Sequence, residues 1–261
     1  MRYLNIIWGR NMSKFFVNEN QINGNIINII DDDVNHIKNV LRLEIDDEIK
    51  ICSIDTSKNY LCKIKNIDKK NIECIVMEEV EAVAESNIEL DIYQGLPKSD
   101  KMELIIQKGT ELGVHSFVPV VFKRSIVKLD EKDKVKKQVR WQKIAEVAAK
   151  QSGRDIVPKV HEVKTIKNIC DLISDYDMVL VAYENEDRNS LKNELKTLTK
   201  KDLKIAVVIG PEGGIEEKEV ELLKESGAKI VSLGKRILRT ETVAIVIAGI
   251  INYELECTED E

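Results

Sequence analysis

Two stretches of this chain combine residue types and spacings that suit chemistry: Ile209-Gly210-Pro211-Glu212-Gly213-Gly214, and Leu233-Gly234-Lys235-Arg236-Ile237-Leu238-Arg239-Thr240-Glu241-Thr242. Each follows a short apolar run of strand character and leads into a segment of helical character. Two strand-to-helix loops about one β-α unit apart would set backbone amides, two carboxylates and an arginine around one crevice, where open α/β sheets bind small ligands. In the first loop the glycines permit positive φ and close backbone approach, and the following helix offers unpaired amides at its start. A phosphate fits this loop poorly, because it lacks a Walker lysine and the Gly-x-Gly-x-x-Gly spacing, and Glu212 would repel it. A ligand with a positive centre fits better, and the sulfonium of S-adenosylmethionine is such a centre. A plain strand-to-helix turn explains the loop equally well when it is taken alone. In the second loop Ile237 and Leu238 are apolar residues in a connection, unexpected unless they line a pocket. They suit a flat adenine, or they plug the edge of a sheet. Thr240, between Arg239 and Glu241, reads as an N-cap.

The elements that must position these loops are legible from periodicity. From Lys14 to about position 83, short β-like runs alternate apolar and polar residues, as in Glu48-Ile49-Lys50-Ile51-Cys52 and Ile72-Glu73-Cys74-Ile75-Val76. Such alternation marks half-buried antiparallel strands. One helical piece near Val34 to Leu41 interrupts them. The reading is a small β-barrel-like domain, with the acidic stretch 78–86 as its linker. From Ile88 onward the rhythm becomes strand, helix, strand. Met102, Ile105, Ile106, Gly109 and Leu112 share a helical stripe. The near-continuous apolar runs 177–183 and 205–209 suit parallel strands covered on both faces. This alternation predicts a doubly wound α/β domain. The helix predicted over 240–255 is apolar over more than one face, which implies burial, either in the core of its own domain or between two subunits.

Net charge is −6 over 261 residues, but it is unevenly spread: −6 over residues 1–97, +8 over 98–167 and −8 over 168–261. A basic middle between acidic ends is the local footprint that phosphate backbones select, although a solvated lysine-rich helix surface gives the same count. The longest apolar run is nine residues, against roughly 20 for a membrane span. Five scattered cysteines without a Cys-x-x-Cys pair argue against a zinc site and for reduced thiols in a cytoplasmic protein.

The two loops together resemble those of SPOUT methyltransferases, and more narrowly those of the ribosomal RNA small subunit methyltransferase E family. Lys98-Ser99-Asp100-Lys101-Met102-Glu103, Gln107 to Gly113, Arg124-Ser125, Gln151-Ser152-Gly153-Arg154 and His36 to Arg42 are similar to the same family. The resemblance covers the chain from Met12 onward. It implies a PUA-like β-barrel RNA-binding domain over 12–84 and a SPOUT methyltransferase domain over 85–261, a doubly wound parallel sheet with a C-terminal trefoil knot. Residues 1–11 precede the family-like start and are expected to have no structural role. The implied activity is methylation of N3 of a uridine in 16S rRNA of the small ribosomal subunit, with S-adenosylmethionine as donor, by a homodimer formed through the methyltransferase domain. The cofactor is expected at Ala182, Tyr183, Gly210, Pro211, Glu212, Gly213, Gly214, Leu233, Gly234, Ile237, Leu238, Arg239 and Thr240. Departures are modest: Lys235 replaces an expected proline, Asp46 a turn glycine, Val243 a smaller residue and Lys150 a frequent acid.

Methyl transfer to a uracil nitrogen is an in-line displacement that depends on positioning, and N3 must be unpaired or flipped out to be reached. Arginine does not act as a base. Arg239, or Arg154 from the basic segment, is therefore expected to stabilise the uracil anion, with Glu241 or Glu212 as the candidate base or as a carboxylate that only orders the loop or faces the sulfonium. His36, Lys38 and Arg42 on one helical face, and Lys98, Lys101, Arg124 and Arg140 in the basic segment, are the expected RNA contacts. Two other readings stay open: a catalytically silent RNA-binding ribosome-assembly factor, and an α/β phosphate-binding enzyme built on residues 210–214.

Overall fold

A computed structural model describes residues 12–82, 84–200 and 202–256; the expectation for residues 1–11 lies outside them. The chain divides into two compact units, one running to Glu85 and including Gly153–Ile156, the other Ser86–Ser152 together with the residues from Val157 on. The break falls one residue after the expected boundary. The excursion at 153–156 has no signal in composition.

The first unit is a six-stranded sheet. Its strands are β1 (Lys14–Val17), β2 (Ile22–Asn23), β3 (Ile26–Ile30), β4 (Glu48–Ser53), β5 (Asn59–Ile67) and β6 (Asn71–Val80), in the order β1-β4-β5-β6-β3-β2. The β1–β4 pair is parallel and the others are antiparallel. Among the described residues no β1–β2 pair closes the ladder into a barrel, and a helical piece packs against the sheet. That piece is α1 (Asp32–Asn35) running into a wider π-turn, His36–Leu41. It sends Val34 and Ile37 into a core with Phe15, Ile27, Ile51 and Ile72. The acidic stretch is not all linker: Glu78 and Glu79 continue β6 opposite Leu61 and Tyr60. Asp46 adopts φ +76, the conformation that explains why glycine is usual there. Cys52, Cys62 and Cys74 are buried free thiols, each pushed by burial up to about 12 and so held protonated.

Segment 153–156 is clamped within this unit. Lys14 Nζ donates to Gly153 O at 2.6 Å, Arg154 O at 3.0 Å and Asp155 Oδ1 at 2.5 Å. The Arg154 guanidinium pairs with Glu85 at 2.5 Å.

The second unit is an all-parallel sheet of seven strands: β7 (Ile88–Gly95), β8 (Ser116–Val121), β9 (Lys159–Val160), β10 (Lys164–Thr165), β11 (Met178–Ala182), β12 (Leu203–Ile209) and β13 (Lys229–Val231). The order is β10-β8-β7-β12-β11-β13, with β9 also pairing β8. Alternate residues serve opposite faces, as the pleat dictates. Leu90, Ile92, Ile205 and Val207 face a core shared with α2 (Lys101–Glu111), α3 (Glu131–Ser152), α5 (Leu191–Leu195) and α7 (Thr240–Glu256). Tyr93, Ala206 and Val208 face one shared with α4 (Ile166–Leu172) and α6 (Glu217–Glu225). Helix α7 buries Ala244, Ile247, Ala248 and Ile251 within this unit, while Ile250 and Tyr253 are 39% and 73% exposed.

Early in β7, buried Asp91 accepts hydrogen bonds from Ser116 Oγ at 2.5 Å and Tyr176 OH at 2.7 Å, with His115 Nδ1 at 3.1 Å. Burial pushes this carboxyl up, but the hydrogen bonds from His115, Ser116 and Tyr176 outweigh it and hold the carboxyl below its ordinary value. A depressed folded-state pKa gives stability that is present above the unfolded value and lost as pH falls through the folded one. Asp91→Asn is therefore expected to cost about 2 kcal/mol at neutral pH. In urea titrations the gap from the parent protein should narrow below about pH 4. An unchanging gap down to acid would show that the ionised carboxylate is not what stabilises this corner.

Candidate active site

Strands β11, β12 and β13 end side by side, and the loops leaving their carboxyl ends enclose a crevice of about 470 Å³. This is where the strand order turns back on itself, the position at which such sheets hold ligands. From the expected set, Ala182, Tyr183, Gly210, Pro211, Glu212, Gly214, Leu233, Gly234, Ile237, Leu238, Arg239 and Thr240 all line it. The sheet thus brings the two loops together, although about twenty residues separate them in sequence.

Three locks set the loop shapes. At the end of β7, Gly95 lies so close under the first loop that a Cβ there would stand 2.5 Å from Pro211 N and 2.8 Å from Gly210 C. At Gly213 a Cβ would meet Arg124 O at 2.8 Å; Gly213 supports the loop from behind and does not line the crevice. The third lock is Thr240, the first residue of α7. Its buried hydroxyl donates to Gly210 O at 2.7 Å and accepts from Gln94 Nε2 at 2.7 Å. Thr240 therefore ties the two loops and β7 to one point, a larger role than an N-cap.

Lys101 proves central. Its ammonium lies 3.0 Å from Glu212 Oε1 and 3.2 Å from Glu241 Oε2, while the Lys98 backbone N–H also donates to Glu212 at 3.0 Å. The expected RNA contact is thus spent on an internal bridge joining α2, the glycine loop and the first turn of α7. Burial pushes the Glu212 carboxyl up, but Lys101 and the backbone donors prevail and hold it below its usual range. Lys101 is in turn raised by its bond to Glu212. A Glu212 carboxylate held ionised in this way is a weak base.

Arg239 lines the crevice, is exposed, and has no ion-pair partner among the described residues. Its guanidinium is available to a ligand. Arg154 is not brought to this crevice: it belongs to the first unit, is 4% exposed and is held by Glu85. A buried, neutralised guanidinium has little left to offer a developing anion. Ile237 is 88% exposed on the rim, so it does not plug the sheet edge. Val243, the larger residue noted above, also lines the crevice.

The other expected RNA contacts are spread over both units. Lys98 is exposed, and Arg124 is exposed with its guanidinium 3.4 Å from Gly213 O. Arg140 pairs with Glu103 at 2.7 Å. In the first unit His36 is exposed with its ring edge-on to Phe15, and Lys38 donates to Asp68 O at 3.1 Å. Arg42 leaves the turn at φ +53. The wider π-turn and this left-handed exit prevent the three from sharing one α-helical face. Residues not foreseen as part of the site are Gln94, Gly95, Glu184 and Ser232. The last two line the crevice, and nothing in their local sequence marks them. Among the described residues no cluster of metal-ligating side chains occurs, and no helix is long and apolar enough to cross a membrane.

Comparison with known proteins agrees with this geometry. The family model for an RNA methyltransferase domain matches residues 84–252, and that for an RNA methyltransferase PUA domain matches residues 29–77. Ribosomal RNA small subunit methyltransferase E of Bacillus subtilis is 41% identical over 231 residues, 87% of this chain and 90% of that one. The Aquifex aeolicus protein of the same name is 34% identical over 232 residues, 87% of this chain and 94% of that one. The crystal structure of Ribosomal RNA small subunit methyltransferase E from Neisseria gonorrhoeae, bound to S-adenosyl methionine, superposes with a TM-score of 0.79. It is 29% identical, over 93% of this chain and 98% of that one. With both of its domains matched and its length nearly spanned by such relatives, this chain belongs to the ribosomal RNA small subunit methyltransferase E family.

Proposed function

We propose that this protein uses S-adenosylmethionine to methylate N3 of a uridine in 16S rRNA. The observation that carries the reading is the single crevice in which both loops meet around an unpaired arginine. Its size lies within the roughly 300–1,000 Å³ usual for small-molecule sites. Ile237 and Leu238 offer apolar surface to an adenine, and the glycine loop allows backbone contact without side-chain obstruction. When bound, the donor supplies an electrophilic methyl group. Chain residues do the rest. Arg239 stabilises the negative charge that spreads over O2 and O4 as N3 loses its proton. Lys101 bridges Glu212 and Glu241 and holds Glu212 ionised, so these carboxylates order the loops. Basic residues of the 98–140 segment and of the 36–42 turn hold the RNA through its phosphates.

The finer architecture follows the same reading. A trefoil knot is supported by β12, which inserts between the earlier strands β7 and β11, and by the return of the chain from β13, beyond β11, to α7 packed on the β7 side. A homodimer is supported by the uncovered apolar face of α7, where Ile250 and Tyr253 stand exposed beside half-buried Ile245 and Val246.

Primer extension on small-subunit RNA treated with protein and donor tests the activity, since a methyl on N3 blocks pairing and creates a new stop. The silent assembly-factor reading predicts RNA binding with no such stop and no heat of donor binding in calorimetry.

A further inference from the structure

One carboxylate of the crevice is left without a partner among the described residues. Its carboxylates and their immediate neighbour are Glu184, Glu212 and Glu241. Lys101 is shared between Glu212 and Glu241, and Glu212 gains a backbone donor as well. Glu184 follows β11 on a different loop and has neither an ion pair nor a hydrogen-bond donor among the described residues. It is not loosely placed, however. The carboxylate lies over the glycine loop, with Oε1 2.5 Å from where a Cβ at Gly214 would stand, and Gly214 itself holds φ +70. Gly214 therefore leaves room for the Glu184 head as well as making a turn. The cations Lys235, Arg236 and Arg239 lie together on the exposed loop after β13. The crevice thus presents one carboxylate that no described residue pairs with and, on another loop, a set of positive groups.

From this arrangement we propose that Glu184 is a specificity-determining residue that reads the positive charge of the methyl donor and so favours fresh donor over spent product. This rests on the donor reading given above. On transfer the S–CH3 bond breaks with its electron pair remaining on sulfur, the N3–CH3 bond forms, and the N3 proton passes to solvent. The spent donor is a neutral thioether, one positive charge poorer than the sulfonium it came from. An uncompensated carboxylate at the site attracts the first and is indifferent to that change in the second, so product inhibition is relieved without any change in shape. A contact made instead to ribose hydroxyls, which donor and product share, would give no such preference.

The test is calorimetric titration of the parent protein and Glu184→Gln with S-adenosylmethionine, S-adenosylhomocysteine and sinefungin, whose ammonium stands in place of the sulfonium. Glutamine keeps the shape and removes the charge. Because Glu184 is exposed and bonds to nothing in the fold, an unchanged thermal midpoint serves as the folding control. The expected result is a loss of about three- to tenfold in affinity for S-adenosylmethionine and sinefungin, the size suited to one solvent-touched charge. S-adenosylhomocysteine binding should stay unchanged. Equal weakening of all three ligands, or of none, overturns the role of Glu184 while leaving the donor site standing. A parent protein that binds none of them overturns the donor reading itself, and this proposal with it.

Discussion

Replacing Arg239 by alanine is expected to lower methyl transfer by about 10²- to 10³-fold, the usual cost of removing one preorganised group that stabilises developing charge. The side chain is exposed, pairs with nothing among the described residues and lines the crevice. Its loss should therefore leave the fold intact and donor affinity nearly unchanged. The two quantities are read separately, turnover by methyl incorporation into small-subunit RNA at saturating donor and affinity by calorimetry. If both fall together, Arg239 only shapes the loop between Gly234 and Thr240, and the anion must be stabilised elsewhere. Lysine at this position is expected to restore part of the rate, because it keeps the charge but loses the planar fork.

Gly95→Ala should act on binding before chemistry. The added methyl would stand 2.5 Å from Pro211 N, 2.7 Å from Pro211 Cδ and 2.8 Å from Gly210 C. These are backbone and ring atoms that cannot swing aside as a side-chain tip can. Either β7 or the 210–214 loop must move, and overpacking of this kind typically costs about 1–3 kcal/mol. The Thr240 bond to Gly210 O is set by the same spacing, so the disturbance reaches the second loop too. We expect donor affinity to fall at least about tenfold, the equivalent of 1.4 kcal/mol, together with a lower thermal midpoint. A variant that melts lower but binds donor normally would show that the loop tolerates displacement.

Much of this arrangement is legible in the chain. The 3.6-residue stripe Met102, Ile105, Ile106, Gly109 became α2, and the apolar run 205–209 became the central strand β12, because burial on both faces leaves a strand no reason to alternate. The strand-loop-helix grammar placed both loops at one end of the sheet. What stays hidden is what depends on partners distant in sequence. Lys101 reads as a surface cation suited to RNA, and only the fold brings Glu212 and Glu241 to it. Arg154 reads as a free member of the basic segment, and only contact with Glu85 shows it spent. The helix over 240–255 reads as buried, but composition reports only how apolar a helix is and not whether its own core or a second subunit covers each face. Gly95 carries no signal at all, because its necessity comes from a backbone more than a hundred residues away.

The excursion at Gly153–Ile156 has a consequence for how such a protein can be taken apart or recombined. The first unit takes its last four residues from the middle of the chain, and Lys14, only 11% exposed, spends its charge entirely on them. A gene exchange cut at the apparent junction near position 85 would carry away the front portion with an ammonium stripped of its acceptors, and part Asp155 from Lys14. Swapping RNA-gripping modules among such proteins therefore requires two matched crossovers, so these front and rear portions should be inherited together.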